Sequence, residues 1–406
     1  MGNTLLKSIV RSVCLLVGLA CLNEAAQTAD QQLQLWLATY EQTWATIRDK
    51  HFDKDLGGLD WAAVGEEAKE AVRKAKNEDE VRTAIGKMLG KLGHSHVGLI
   101  PREAFEQMSN GTKGGTLGME LRMVEGKAVV WRVRKGSPAE KAGVKPGWIL
   151  ETPKPLTGSD LRKVRVAQAM VEGKVGEEKT LRFGEQGERK LTAVPMPGKL
   201  ATFGNLPPIP VEMEFQRMGA VGYFRVSAFF EPEWLQTEMA QAMAQCQDCR
   251  GFVVDLRGNP GGMGILSSAL LGWFLDKEAA LGTLRMRTYE LKLMANPRPE
   301  AFAGKLAVLV DGLSLSTSEF FAGAVKDLGR GRIFGERTGG MALPSAIEKL
   351  PTGDALQYTT ANYHSAGGGP LEGRGVEPDQ AVPLKRADLL AGRDAALDAA
   401  LRWIRE

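Results

Sequence analysis

Cysteine and histidine are scarce in this chain, and their scarcity argues against the commonest metal sites. The 406 residues include four cysteines and four histidines. Cys14 and Cys21 lie near the amino terminus. Cys246 and Cys249 form a C-x-x-C pair, but no second cysteine or histidine pair at metal-ligand spacing accompanies it. We therefore expect no metal or other cofactor. The C-x-x-C pair predicts either a local disulfide or two buried free thiols.

An excess of charge of one sign is also missing. The chain has 52 lysines and arginines against 49 aspartates and glutamates, which gives a net charge of +3. Nucleic-acid-binding surfaces need a clustered basic excess, and these charges are interspersed, so we expect no nucleic-acid partner. Hydrophobic residues make up 43% of the chain, which is enough for the cores of two or three globular domains.

The amino terminus lacks an apolar run long enough to span a bilayer. Basic Lys7 and Arg11 precede a short apolar run over residues 13–20, which is typical of a secretory signal peptide over residues 1–20. Cys21 follows in a context that resembles a bacterial lipoprotein box. It is therefore either a lipid-anchor site or the first residue after an ordinary cleavage. We expect an exported protein, either secreted or in a bacterial periplasm or cell envelope.

Hydrophobic spacing divides the rest of the chain into three regions. Residues 30–110 show the apolar spacing of amphipathic helices. Residues 112–197 show short alternating strands, glycine turns and one helical stretch. Residues 211–406 alternate near-continuous apolar strands with helices, which predicts an α/β layer with a largely buried sheet. The predicted fold class is therefore α/β within an α+β multidomain chain.

The strand and turn order of residues 112–197, with the segment SPAEKAGVKPG, resembles a PDZ domain. In PDZ domains the N–H groups of one loop capture a peptide C-terminus while the peptide adds a strand to the sheet edge. Trp148 stands where the family usually has Asp. The resemblance implies either peptide binding or a spacer that binds nothing. The carboxylate-binding loop would comprise Gly115, Thr116, Leu117, Gly118 and Met119.

A serine-rich turn in the third region is the best candidate for chemistry. An apolar strand pattern ends at Asp311, and a helical pattern begins near Ser316. A serine at this position either caps the helix or acts as a nucleophile, because unpaired N–H groups at a helix N-terminus can hold an oxyanion. Ser314 precedes the helix and Ser318 falls one helical step further in, so both are weaker candidates.

Three further features offer the groups that a nucleophilic serine needs. Gly261 and Gly262 follow a buried strand and could donate a backbone N–H to an oxyanion, although an ordinary turn is the alternative. His96 is the best general base available, and the Ser95 hydroxyl could orient its ring. A lone histidine is otherwise a surface or core residue. Glu372 could anchor this chain of hydrogen bonds, or it could simply be solvated.

Five sequence blocks occur in the order found in the C-terminal-processing and tricorn-core peptidases, a family of serine endopeptidases. They are GYFRVSAF, DLRGNPGG, LVDGLSLSTSEFFAGAVKDLGR, GERTGG and GRGVEPD. Two earlier blocks, HFDKDLGGLDW and LGHSHVGL, are similar to the N-terminal part of the tricorn-like branch. The resemblance implies an N-terminal helical domain, a PDZ-like domain and an α/β peptidase core of the ClpP/crotonase type.

Met341 distinguishes the two branches of this family. In the C-terminal-processing branch a lysine closes the block that reads GERTGGM here, and methionine cannot accept a proton. Lys326 and Lys349 lie elsewhere in the pattern. The resemblance to the tricorn-like branch implies a tetrad instead, with a nucleophile, a base, a supporting hydroxyl and an acid. These residues are Ser316, His96, Ser95 and Glu372.

The resemblance implies covalent acyl transfer, in which Ser316 attacks a peptide carbonyl and His96 transfers the proton to the leaving amine. The N–H groups of Thr317 and Gly261 would hold the oxyanion, with Gly262 as the alternative donor. The expected function is an exported serine endopeptidase that recognises peptide C-termini. The alternative, motivated by the missing lysine, is a non-catalytic binding or scaffold protein on the same fold.

Overall fold

The computed structural model of the chain describes residues 29–109, 114–203 and 206–406. The expected signal peptide over residues 1–20 and the expected lipid-anchor site at Cys21 lie outside the described residues. Across the described ranges, every helix is too short or too polar to cross a membrane.

The elements are numbered in chain order. The helices are α1 (residues 29–50), α2 (Trp61–Lys74), α3 (Glu78–Gly90), α4 (Arg102–Ser109), α5 (Pro138–Lys141), α6 (Asp160–Met170), α7 (Pro232–Ala244), α8 (Ile265–Leu271), α9 (Thr317–Asp327), α10 (Arg386–Leu390) and α11 (Ala395–Arg405). The strands of the first half are β1 (Gly98–Ile100), β2 (Gly115–Thr116), β3 (Met119–Val124), β4 (Lys127–Val133), β5 (Glu172–Gly173), β6 (Glu178–Arg182), β7 (Glu188–Thr192), β8 (Val194–Pro195), β9 (Lys199–Phe203) and β10 (Leu206–Val211). The remaining strands are β11 (Met213–Met218), β12 (Val221–Val226), β13 (Gly251–Asp255), β14 (Ala279–Met286), β15 (Glu290–Ala295), β16 (Lys305–Val310), β17 (Gly331–Gly335), β18 (Ser345–Lys349), β19 (Ala355–Thr359), β20 (Ala361–Ser365) and β21 (Gln380–Ala381).

The described chain divides into two compact units. The first unit comprises residues 29–105 and 345–359, and the second comprises residues 106–344 and 360–406. In the first unit, α1, α2 and α3 bury their apolar faces, and Ile47, Val72 and Ile85 are completely buried. The side chains of Asp60 and Asn77 cap α2 and α3 by accepting backbone N–H bonds.

A β-hairpin distant in sequence completes the first unit. Strands β18 and β19 pair with each other, and β19 also pairs antiparallel with β1. Leu356 and Tyr358 alternate along β19 with the two-residue period of a strand, and both side chains join the core of the helices. We had expected the whole of residues 211–406 to form one peptidase core. The structure instead assigns residues 345–359 to the first unit, because their apolar face is buried there.

A six-stranded sheet forms the centre of the second unit. Its order is β11-β12-β13-β16-β17-β21, with β11 antiparallel to β12 and the other pairs parallel. Helices α7, α8 and α9 contribute to the core on one face of the sheet, and α11 packs on the other. Strands β13 and β16 are buried almost throughout, as their near-continuous apolar sequences predicted. The predicted mixed α/β class is confirmed.

Parallel pairing of β13 and β16 brings two turns to the same edge of the sheet. Asp255 at the end of β13 lies opposite Leu309 near the end of β16. The glycine turn after β13 and the serine turn after β16 therefore start side by side, at the edge where open α/β sheets usually bind ligands.

The β-rich region after residue 114 also belongs to the second unit. It contains the hairpins β3–β4 and β6–β7, the small sheet β5-β2-β8, and α6, which packs Ala167 into a shared core. Three prolines within residues 207–210 favour a linker when the sequence is taken alone. The structure instead has them within β10, which pairs with β9. Prolines are tolerated here because, among the described strands, β9 alone pairs with β10.

Two local predictions are resolved in the second unit. Cys246 and Cys249 form a disulfide, which was one of the two alternatives. Both cysteines are buried in the core beside α7. The apolar pattern over residues 386–405 by itself predicts one closing helix, but the chain forms α10 and α11 with Gly392 at positive φ between them.

Candidate active site

Ser316 is the N-cap residue of α9 and has a backbone conformation that is rare for a residue with a side chain. Its φ is 54° and its ψ is −117°. A non-glycine residue at positive φ costs free energy and persists only where the surrounding structure holds it, which is common at active sites. Ser316 is also partly exposed, so its hydroxyl lies on an accessible turn.

The two neighbouring serines are held in the core by hydrogen bonds. Ser314 is completely buried, and its Oγ donates to the Leu256 carbonyl at 2.8 Å. Ser318 is also completely buried, and its Oγ donates to the Asn259 carbonyl at 3.0 Å. Both hydroxyls therefore stabilise the turns, which agrees with the expectation that they are weaker nucleophile candidates than Ser316.

The glycine turn packs directly against Ser316. The Leu315 N–H donates to the Asn259 carbonyl at 3.0 Å, and Thr317 Oγ1 donates to the Gly262 carbonyl at 2.9 Å. Gly261 has a φ of +97°, and a Cβ added there would lie 2.6 Å from Ser316 Cβ. Position 261 is therefore restricted to glycine by both its backbone angle and its distance from Ser316.

The expected oxyanion donors differ in their availability. The Gly261 N–H donates to Asn259 Oδ1 at 2.8 Å, so it already has an acceptor. Among the described residues, no acceptor is paired with the Gly262 N–H. Thr317 is the first residue of α9, and its N–H therefore has no acceptor within the helix. The geometry thus favours Gly262, which was the alternative donor, over Gly261.

Glu319 is a central residue of this site that the sequence analysis did not identify. Its carboxylate is completely buried and accepts four hydrogen bonds at distances between 2.6 and 3.0 Å. Burial raises the pKa of Glu319 to about 7, and the four donors act in the opposite direction. The donors are the Ser316 N–H, Thr338 Oγ1, the Gly340 N–H and the Met341 N–H.

A sequence signal for Glu319 did exist. Ser316 and Glu319 have the S-x-x-E spacing of a capping box, in which the glutamate side chain accepts the N–H of the N-cap residue. The burial of this carboxylate and its bonds to residues 338–341 depend on tertiary packing, and the spacing does not show them.

The expected acid, Glu372, contacts the same segment that supports Ser316. Its Oε2 accepts the Ala342 N–H at 2.9 Å. The adjacent Met341 carbonyl accepts the Ser316 N–H at 3.0 Å. Ser316 and Glu372 therefore both bind the segment over residues 340–342. This segment includes Met341, the position at which the C-terminal-processing branch has the lysine of its Ser–Lys dyad.

Ser95 and His96 lie together in the first unit, whereas Ser316, Thr317, Gly261, Gly262 and Glu372 lie in the second. Ser95 Oγ and His96 Nδ1 are 2.8 Å apart, which is hydrogen-bond distance. His96 is half-buried and, like Ser316, has a positive φ, of 57°. The pairing of the Ser95 hydroxyl with the His96 ring agrees with the orienting role expected of Ser95.

The expected carboxylate-binding loop uses some of its N–H groups internally. The Leu117 N–H donates to the Val171 carbonyl at 2.9 Å, and the Gly118 N–H donates to Thr116 Oγ1 at 3.0 Å. Thr116 and Gly115 also pair with β5 and β8. A peptide carboxylate bound to this loop would therefore have to compete with existing acceptors.

Gln168 on α6 occupies the neighbouring edge of β3. Its Oε1 accepts the Leu121 N–H at 3.1 Å, and its Nε2 donates to the Met119 carbonyl at 3.2 Å. A peptide that adds a strand beside β3 would use backbone groups of this kind. The carboxamide of Gln168 thus takes the place of a peptide group along this edge.

Strand β3 also contacts the serine turn through Arg122. Arg122 Nε donates to Asp311 Oδ2 at 2.8 Å, and both side chains are about nine-tenths buried. Asp311 Oδ1 accepts the Gly258 N–H at 2.9 Å and the Leu313 N–H at 3.0 Å. One carboxylate therefore joins strand β3, the glycine turn and the serine turn.

Two family models match the chain. The model of peptidase family S41 matches residues 220–382, and the model of the tricorn protease C1 domain matches residues 34–90. The first match contains the glycine turn, the serine turn and Glu372. Residues 220–382 belong to peptidase family S41. The protein is a serine peptidase, and nothing in its relatives favours the non-catalytic alternative.

Relatives of known name support this assignment. The carboxyl-terminal-processing protease of Picosynechococcus sp. is 28% identical over 351 residues, which cover 84% of this S41 chain and 82% of the relative. The carboxyl-terminal-processing protease of Synechocystis sp. is 26% identical over 388 residues, which cover 93% and 87%.

Solved structures share the fold of this S41 peptidase. The photosystem II D1 C-terminal processing protease has a TM-score of 0.60 at 23% identity, over 91% of this chain and 97% of that one. The tricorn protease has a TM-score of 0.53 at 18% identity, over 92% of this chain and 37% of that one.

Proposed function

We propose that this S41 peptidase cleaves peptide bonds with a Ser316, His96, Ser95, Glu372 tetrad. The conformation of Ser316 is the main support, because the turn exposes this serine while Ser314 and Ser318 are buried and bonded. Met341 supports the tetrad over a Ser–Lys dyad, since it has no group that could accept a proton. Lys326 is a poor substitute because its Nζ donates to the Glu377 carbonyl at 2.6 Å and pairs with Asp379 at 3.2 Å.

In this mechanism Ser316 Oγ attacks the carbonyl carbon of the substrate as His96 takes its proton. The oxyanion that forms accepts hydrogen bonds from the N–H groups of Thr317 and Gly262. Each such donor contributes on the order of 3 kcal/mol to lowering the barrier. His96 then returns the proton to the leaving amine, and water hydrolyses the acyl-enzyme. Ser95 holds the imidazole ring, and Glu372 stabilises its charged form.

Digestion of an unfolded protein such as reduced casein tests the assignment. Ser316→Ala is expected to abolish both cleavage and labelling by a fluorophosphonate, a reagent that reacts with nucleophilic serines. Ser318→Ala is the control and is expected to be labelled at Ser316 as the wild type is. His96→Ala is expected to reduce kcat by about 1,000-fold or more, and Lys349→Ala to leave it unchanged. Loss of cleavage only in Lys349→Ala would replace the tetrad by a dyad, and equal cleavage by wild type and Ser316→Ala would remove Ser316 as the nucleophile.

We also propose that the PDZ-like region binds the free C-terminus of protein substrates. The strand edge at Met119 and Leu121 and the loop over residues 115–119 have the pattern that such binding needs. The named activity of the relatives, carboxyl-terminal processing, also favours substrates that are recognised by their C-terminal ends. The Gln168 carboxamide already bonds to the backbone of β3, and N–H groups of the loop already have acceptors within the protein. We therefore expect weak binding, in which the peptide displaces the Gln168 carboxamide.

Peptides that differ only by C-terminal amidation test this recognition. Fluorescence anisotropy with the Ser316→Ala variant is expected to show tighter binding of the free acid than of the amide. Equal binding of the two would refute capture of the carboxylate and favour a region that acts only as a spacer.

We further propose that the peptidase is exported and works in the periplasm or cell envelope, or after secretion. The basic and apolar pattern of residues 1–20 supports a signal peptide, and Cys21 is the proposed lipid-anchor site. Palmitate labelling of the wild type and of Cys21→Ala in a bacterial host separates a lipid anchor from ordinary cleavage.

A further inference from the structure

His51 is a completely buried histidine at the end of α1, and both of its ring nitrogens have partners. Its Nε2 lies 3.2 Å from His94 Nδ1, and the Asp53 N–H donates to its Nδ1 at 3.2 Å. The rings of His51 and His94 are stacked, with centroids 5.2 Å apart and planes within 7°. Two of the four histidines in the chain therefore meet in the first unit.

The two ring nitrogens of His51 hold the ring at both ends. Its Nδ1 lies 3.2 Å from both the nitrogen and the carbonyl oxygen of Asp53, so the backbone of residue 53 pairs with Nδ1 in either tautomer. In the bond between His51 Nε2 and His94 Nδ1, one ring donates and the other accepts. The ring of His94 is therefore bonded to a side chain of the core.

His94 belongs to the loop that presents Ser95 and His96. The positive φ of His96 needs support from the surrounding structure, because a strained residue relaxes if its neighbours do not hold it. On the C-terminal side the loop continues into β1, whose Gly98 pairs with Gln357 of β19. On the N-terminal side the His94 ring is bonded to the buried His51.

Packing alone does not account for a histidine at position 51. A buried imidazole loses its hydration, and an apolar side chain of similar size would fill the space without that cost. The cost is offset by the two hydrogen bonds, and one of them ends on the loop that carries the proposed base. These bonds also connect the two sequence blocks HFDKDLGGLDW and LGHSHVGL.

We propose that His51 is a positioning residue for the peptidase reaction. It holds His94, and through His94 it fixes the backbone at Ser95 and His96. The inference rests on the proposed role of His96 as the general base. Loss of the His51 bond releases the loop, and displacement of a catalytic group by about 1 Å lowers the rate by up to about 100-fold.

Steady-state kinetics on the full chain test the proposal with two substitutions at position 51. His51→Leu keeps a side chain of similar size but removes the bond to His94, whereas the amide of His51→Gln can donate or accept in place of Nε2. His51→Leu is expected to lower kcat by about 10- to 100-fold with KM within about twofold of wild type. His51→Gln is expected to recover most of kcat. The fluorophosphonate labelling rate of Ser316 should follow kcat in both variants.

Thr43→Val is the control for a purely structural effect. Thr43 is also completely buried in the first unit, and its Oγ1 donates to the Thr39 carbonyl at 2.8 Å. Its replacement is expected to lower stability without changing kcat. His94→Leu, at a half-buried position, removes the other partner of the same bond and tests the proposal even where His51→Leu folds poorly. The double variant is expected to be no slower than the slower single variant.

Wild-type kcat in folded His51→Leu or His94→Leu would overturn the proposal. The proposal would also be overturned if His51→Leu and His51→Gln lost activity only in proportion to their loss of folded protein. His96→Ala separates this failure from that of the tetrad. If His96→Ala is inactive and His51→Leu is fully active, the tetrad stands and only the positioning role falls. If His96→Ala is fully active, the tetrad itself is wrong.

Discussion

At the scale of single residues, the site depends on close approach between the glycine turn and Ser316. Gly261 is in contact with the backbone on both sides of the serine, because a Cβ there would lie 2.8 Å from the Leu315 carbonyl oxygen and 2.9 Å from the Thr317 nitrogen. These contacts leave no space for a side chain. The sequence predicted that these glycines could donate an N–H to an oxyanion, and the structure identifies Ser316 as their neighbour.

Gly261→Ala is expected to reduce kcat by about 100-fold, because the new methyl group displaces Ser316 from its position. The backbone angle alone costs about 1–3 kcal/mol of stability. Gly368→Ala is the matched control, since Gly368 has a φ of +84° but open space around its Cβ position. Kinetics and urea denaturation of the two variants should show a similar loss of stability and a loss of kcat only at position 261. An equal kcat in both would contradict the role assigned to the close contact.

Glu319 gives a prediction about pH. Its pKa is raised from 4.5 to about 7, so the folded state binds a proton that the unfolded state releases in this range. The free energy of unfolding of the wild type should therefore fall as the pH rises from about 4.5 to 7, by on the order of 3 kcal/mol from this group. Glu319→Gln, which resembles the protonated form, should remove this component.

Urea denaturation at pH 4.5 and pH 7.5 measures this difference between wild type and Glu319→Gln. The exposed Glu300 provides the control substitution, Glu300→Gln, which should leave the pH dependence as it is in wild type. Parallel stability profiles for wild type and Glu319→Gln would show that Glu319 does not titrate in this range.

At the scale of elements, pairing between strands determines which segments form the site. Because β13 and β16 are parallel neighbours, the turns that follow them meet at one edge of the sheet. The alternation of strands and helices predicted an α/β layer with a buried sheet, and the structure adds which strands pair. The sequence did not predict that the hairpin β18–β19 belongs to the first unit. A strand of five residues carries no local signal for the strand with which it pairs. Its partner β1 lies about 250 residues earlier in the chain.

Gln168→Ala is expected to tighten binding of a peptide with a free C-terminus by about 30-fold. The peptide would no longer have to break the bonds of Gln168 to Leu121 and Met119, each of which contributes about 1 kcal/mol. Anisotropy with the Ser316→Ala background measures the change. Gln241→Ala, at an exposed position on α7, is the control and should bind as the background does. Unchanged or weaker binding in Gln168→Ala would show that Gln168 does not compete with the peptide.

At the scale of the whole molecule, buried charge within the second unit joins its β-rich region after residue 114 to the serine turn. Arg122 lies over the Trp131 ring at 4.1 Å and donates to Asp311, which holds both turns of the site. The neighbouring residue in β3, Leu121, donates to Gln168 at the proposed peptide edge. A change at that edge is therefore one residue away from the ion pair that supports Ser316.

Arg122→Met is expected to lower the free energy of unfolding by about 3–5 kcal/mol, because it leaves the buried Asp311 carboxylate without its charged partner. It should also lower kcat, since Asp311 holds the serine turn. Arg132 is the control because its side chain is 31% exposed and its pair with Glu214 lies at the surface. Arg132→Met should change stability by about 1 kcal/mol or less and leave kcat unchanged. Equal effects of the two substitutions on kcat would argue against the Arg122 connection.

The sequence by itself determined the family, the mixed α/β class and the identity of the proposed tetrad, because these depend on residue type, order and local periodicity. The position of Ser316 at a strand-to-helix turn also follows from such local patterns. The tertiary structure alone decided that Gly261 already uses its N–H, that Glu319 is buried against residues 338–341, that residues 345–359 complete the first unit, and that His51 meets His94. Each of these features depends on contacts between segments that are distant in sequence. Whether a polar group has a hydrogen-bond partner is defined only once those segments pack together.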